Sequence, residues 1–133
     1  MTNYVPPIED IEFLLNEVVN LDEICDLAGY EEISPDLVTS ILIEAGRFAS
    51  VILAPLNRVG DIEGSYLEND IVFTPTGWKE AYQEFIKGGW SGLLLDPEYG
   101  GQGLPHLVGV AVQELWDGAN MSFALCPMLT QTA

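Results

Sequence analysis

The chain has 133 residues, 48% of them apolar, with 21 acidic and four basic side chains and a formal charge of −17. Length and apolar content fit one folded domain and exclude a disordered tail. The charge disfavours nucleic acid, anionic membranes and any ligand with several phosphates, because only Arg47, Arg58, Lys79 and Lys87 could meet them.

Pro6-Pro7 opens a first helix in which Ile8, Ile11, Leu15 and Val18 recur at helical spacing, with Leu14 widening the stripe. Glu9, Asp10 and Glu12 fall in its first turn, where the helix dipole favours negative charge. Residues 21–27 read as a short second helix with Gly29 as its C-terminal cap. Ser34-Pro35 starts the longest element. One stripe holds Leu37, Ile41, Ala45, Phe48, Ile52 and Leu56, and a second holds Val38, Leu42, Ala49 and Leu53. So wide an apolar arc predicts a central helix buried on more than one side. Pro55 lacks an N–H and predicts a kink or the last turn, with a turn over residues 57–65.

Ile71-Val72-Phe73 is strand-like but too short to pair stably alone, so it is expected to be an extended connector. Thr74-Pro75 has the form of an N-cap followed by Pro at the first helical position, ahead of Trp78, Tyr82, Phe85 and Ile86. Gly88-Gly89 ends that helix. The run Asp96-Pro97-Glu98-Tyr99-Gly100-Gly101-Gln102-Gly103-Leu104-Pro105 follows. Its glycines predict a tight, irregular backbone with φ > 0 at one of Gly100, Gly101 and Gly103, and Pro97 pushes Asp96 toward an extended conformation. Tyr99 is expected to pack under the loop and bond through its hydroxyl. Pro105 suits the first turn of a helix apolar on two faces, with Leu107, Ala111 and Leu115 beside Val108, Val112 and Trp116. Asn120 can cap a last helix, where Phe123, Pro127 and Gln131 share a face next to Ala124 and Met128.

The expected core includes Leu37, Ile41, Phe48, Ile52, Val112 and Leu115. Cys25 and Cys126 are expected to be buried thiols. No stretch reaches the roughly 20 apolar residues of a membrane span, and the N-terminus shows no export signal, so the expected location is cytoplasmic. The almost wholly apolar last helix stops without a cap, so the chain reads as cut short.

Few residues offer chemistry. Gly100-Gly101-Gln102-Gly103 has neither the strand and spacing of a dinucleotide fingerprint nor the Gly-Lys-Ser/Thr of a P-loop. His106 is the one histidine and reads as a solvated first-turn residue, not a metal ligand. No catalytic residue is assigned.

Pro97-Glu98-Tyr99-Gly100-Gly101-x-Gly103 between helices resembles the acyl-CoA dehydrogenase family, at the connection into the last helices of its N-terminal helical domain. Gly88-Gly89-Trp90-Ser91-Gly92-Leu93 and Ala54-Pro55-Leu56-Asn57-Arg58-Val59-Gly60-Asp61 stand in the same order and resemble the 3-methylmercaptopropionyl-CoA dehydrogenase-like subgroup. The resemblance covers roughly residue 5 to the end. It implies an all-α cluster of about five to six helices, a single helical N-terminal domain over residues 1–133. The family's β domain and C-terminal helical bundle are absent from the chain. It implies an FAD-dependent oxidoreductase of fatty-acid metabolism, forming a 2-enoyl-CoA from an acyl-CoA thioester with a glutamate base on the C-terminal bundle. An electron-transfer acceptor and a homo-oligomer follow from the same likeness. Phe123, Ala124, Pro127 and Met128 are the residues it places on the acyl-pocket wall, with plain core packing as the alternative. The other functional readings are an acyl-CoA oxidase-like domain and a stand-alone acidic helical interaction module.

Overall fold

A computed structural model describes the backbone of residues 4–131 and the side chains of residues 4–129. It is an all-α assembly. Helix α1 (Ile8–Phe13) continues as a π turn (Leu14–Val18), and α2 (Leu21–Cys25) follows. Helix α3 (Pro35–Phe48), a π turn (Ala49–Leu53) and α4 (Ala54–Glu63) form one unbroken central helix. Strands β1 (Tyr66–Glu68) and β2 (Ile71–Phe73) make a hairpin, after which come α5 (Trp78–Lys87) and α6 (His106–Gln131).

The central helix begins as its sequence dictates. Ser34 is extended and its Oγ accepts from Leu37 N–H, with Pro35 in the first turn. It does not end at Pro55. The Ala54 N–H bonds to the Ala49 carbonyl, one residue further back than in an α-helix. This widened turn just ahead of Pro55 accommodates the ring and the missing donor, so the helix runs on through residues expected to form a turn. The resulting 29-residue helix is long and apolar enough to cross a membrane, contrary to the expectation that no stretch would be. Here Val38, Leu42, Ala45, Ala49 and Leu53 are buried and α6 packs along both halves, so it serves as the core helix.

Of the expected core, Phe48, Val112 and Leu115 are buried and Ile41 and Ile52 are partly buried. Leu37 is 41% exposed, because the stripe through Val38 and Leu42 faces inward. Phe48, Phe85 and Trp116 pack pairwise with centroids 5.3–6.3 Å apart, and Phe123 joins them through Phe85 and itself meets Trp78. Cys25 is half-buried, whereas Cys126 is exposed on the outer face of α6, against expectation.

Two local expectations around α5 are overturned. Ile71-Val72-Phe73 is not a lone connector: it pairs antiparallel with Tyr66–Glu68, in register Tyr66↔Phe73 and Glu68↔Ile71. Asn69 and Asp70 both take positive φ, 50° and 62°, which makes the two-residue loop favoured in hairpins. Tyr66 stacks on Phe73 at 5.1 Å. Thr74-Pro75 does not cap α5, which starts at Trp78 after Gly77 with φ 84°. The Thr76 N–H instead goes to Glu63 Oε2 at 2.7 Å, clamping the base of the hairpin to the end of α4.

Candidate functional site

The glycine-rich connection is a loop closed on itself. Gln102 N–H donates to Gly92 O, Gly103 N–H to Leu95 O and Leu104 N–H to Leu93 O, so the two legs pair almost as a ladder. Buried Leu93 and Leu104 pin both legs in the core. At the tip Asp96 takes φ −59° and ψ 134°, extended as a residue before proline should be, and its Oδ1 accepts from Glu98 N–H. Gly100 and Gly103 have φ of 83° and 63°. Gly101 is needed for another reason: a Cβ there would lie 1.9 Å from the Leu95 carbonyl oxygen. Pro97, Glu98 and Tyr99 form one tight helical turn. Tyr99 is 79% exposed, so it does not pack under the loop as expected.

Helix α6 starts after Pro105, whose carbonyl receives the Val108 N–H. It runs to Gln131 as one element, but Asn120 leaves helical geometry with φ −160° and ψ 84°. Asn120 Oδ1 accepts from Phe123 N–H at 3.1 Å, the cap its sequence position predicts. Its Nδ2 donates to the Leu53 carbonyl at 3.2 Å, a contact sequence reasoning missed. The only available hint was an Asn flanked by apolar residues.

Beyond this break, Phe123 and Ala124 are enclosed by the domain's own side chains, Pro127 is buried and Met128 is half-buried. The four residues do share one side of the helix. Gln131, expected on the same side, lies outside the described side chains. Met121, Leu125 and Leu129, spaced by four, form an exposed apolar stripe on the other side. Periodicity alone does not say which side of an all-apolar helix faces in.

Two grooves flank the core. One, of about 1390 Å³, runs between the central helix from Ser50 to Asp61 and α6 at Gly118–Ser122, with Arg58 and Trp78 on its walls. The Trp78 Nε1 donor is buried there without a hydrogen-bond partner. The other, of about 600 Å³, lies between α3 and α5 and contains Arg47 and Lys87. Glu44 and Glu84 already pair with these two cations at 2.9 and 2.8 Å. Two of the four cations are thus paired, while Arg58 stands on the wall of the larger groove.

Fold and site together define an all-α domain whose distinctive surfaces are a rigid glycine-built loop and an apolar helix end. No protein-family model matches the chain. It is 42% identical over 130 residues to 3-methylmercaptopropionyl-CoA dehydrogenase of Ruegeria pomeroyi, across 98% of this chain and 22% of that protein. It is 24% identical over 131 residues to the broad-specificity linear acyl-CoA dehydrogenase FadE5 of Mycobacterium tuberculosis, across 90% of this chain and 20% of that protein. The chain thus matches part of acyl-CoA dehydrogenases and spans about a fifth of the length of the curated relatives it matches.

Proposed function

We propose that residues 1–133 form the N-terminal helical domain of an FAD-dependent acyl-CoA dehydrogenase acting on an acyl-CoA thioester. The observation that carries this reading is the 42% identity along 98% of the chain to a dehydrogenase of that class. Both relatives are named dehydrogenases, which favours this over an oxidase or a stand-alone interaction module. FAD, when bound, would accept the hydride of the α,β-dehydrogenation. With 21 acidic against four basic residues, two of them already paired with Glu44 and Glu84, this domain is a poor host for a flavin diphosphate. Flavin binding and the catalytic base are therefore assigned to the other domains of the enzyme. The role of this domain is to supply a wall of the acyl pocket through the C-terminal half of α6. Met121, Leu125 and Leu129 would face the substrate, backed by Phe123, Ala124, Pro127 and the half-buried Met128. A homo-oligomer, an electron-transfer acceptor and a cytoplasmic location complete the reading.

The test is to purify residues 1–133 alone and within the complete polypeptide, add FAD and a panel of acyl-CoAs with an electron-accepting dye, and follow flavin absorbance and turnover. The complete polypeptide should be yellow and active, and the domain alone colourless and inactive. A stoichiometric flavin complex with turnover by residues 1–133 alone would overturn the assignment of flavin and base to other domains.

A further inference from the structure

Asn120 sits where two irregularities meet. It breaks α6, and Leu53, whose carbonyl it holds, is the last residue of the π turn in the central helix. It is 1% exposed, in an otherwise apolar interior. A buried amide in such a place is tolerated only when its polar atoms are bonded, and here both ends are. One end starts the second half of α6 and the other fixes that start against the central helix. An apolar residue could fill the same volume but could do neither.

We infer that Asn120 is a positioning residue for substrate specificity: its clamp on Leu53 sets the direction of the C-terminal half of α6, and so the acyl-chain length the pocket accepts. This rests on the reading of that helix half as pocket wall. At 1.5 Å per residue, the segment beyond Asn120 is roughly 16 Å long, so a tilt of about 10° at the break moves its far end about 3 Å, on the order of two methylene groups. A small change in the clamp therefore alters chain-length preference while leaving the reacting end of the substrate, fixed elsewhere in the enzyme, unmoved.

The experiment uses the complete polypeptide with Asn120→Asp and Asn120→Ser. Aspartate keeps the acceptor for the Phe123 N–H but cannot donate to Leu53. Serine can cap but is too short to reach Leu53, and it avoids a buried carboxylate should the aspartate variant fail to fold. The readouts are kcat/KM along a straight-chain acyl-CoA series, flavin content, and amide exchange in peptides covering residues 106–118 and 121–131. Exchange should rise several-fold in 121–131 only, and the ratio of kcat/KM between long and short substrates should move by about tenfold at unchanged flavin content. Equal loss on every substrate, or an unchanged ratio with faster exchange, would overturn the specificity role. Unchanged exchange would overturn the clamp. If the unsubstituted polypeptide turns over no acyl-CoA, the pocket reading and the specificity role fall together, and exchange still decides whether Asn120 directs the helix.

Discussion

The Tyr4 hydroxyl donates a 2.9 Å hydrogen bond to the Leu115 carbonyl and so ties the segment ahead of α1 to the middle of α6. Gly118 makes this possible, since a Cβ there would stand 3.0 Å from that hydroxyl. Burial, and secondarily the Glu114 carboxylate, raises the Tyr4 phenol above its ordinary value. A group with a raised folded pKa contributes stability that is present below the unfolded value, about 10 for tyrosine, and lost as pH rises through the folded value. Ionisation also removes the donor to Leu115. Tyr4→Phe should therefore lower Tm at neutral pH but lose less further stability above about pH 10 than the parent chain. Parallel Tm-against-pH curves for the two proteins would contradict this.

Phe48 lies edge-on to Trp116 at 6.2 Å and tilted against Phe85 at 6.3 Å, inside the core. Phe48→Ala removes both ring contacts and leaves a cavity between the central helix, α5 and α6. The expected cost is ~3–5 kcal/mol by urea denaturation. A loss below about 1 kcal/mol would mean that the central helix can collapse onto its neighbours without this ring.

The glycines of the connection separate two kinds of requirement. Gly100 has φ 83° with nothing within 4 Å of an added Cβ, so Gly100→Ala meets only the backbone penalty of about 1–2 kcal/mol. Gly101→Ala would drive a methyl into the Leu95 carbonyl and break the pairing of the loop legs, costing more than ~3 kcal/mol or preventing folding. Denaturation midpoints ranking the two variants in the opposite order would refute this account.

The hairpin loop can be tested by changing one residue in each direction. Asp70→Gly gives Asn-Gly, which adopts the left-handed pair without a Cβ, whereas Asp70→Val places a β-branched residue at φ 62°. Amide exchange across residues 66–73 should slow in the first variant and speed up in the second. Equal exchange rates would show that the turn does not govern the hairpin.

Much of the architecture was legible because single residues fix local backbone. Ser34-Pro35, Asn120 and Asp96-Pro97 each did what their chemistry requires. Pro55 did not mark the last turn, one of its two expected effects, because a π turn whose N–H to Ala49 carbonyl bond leaves no mark in composition absorbed it. The hairpin was missed because Tyr66–Glu68 carries too little apolar pattern to announce a partner for Ile71–Phe73, although Asn69-Asp70 was the turn signal. On the last part of α6 the sequence does not say which side faces inward. Phe123 and Ala124 are chosen as interior residues by contacts from Trp78, Phe85 and the central helix, all distant in sequence.

The hairpin also divides the molecule energetically. Leu67 and Val72 point to one face and Tyr66, Phe73 and Ile71 to the other, and all five are exposed, so the hairpin adds nothing to the core. Its base is fastened through Glu63 and Thr76. Its opening is therefore a local event, separate from global unfolding and far less costly. Limited proteolysis of the isolated domain would start there, nicking the chain between two helical halves that remain packed through α6.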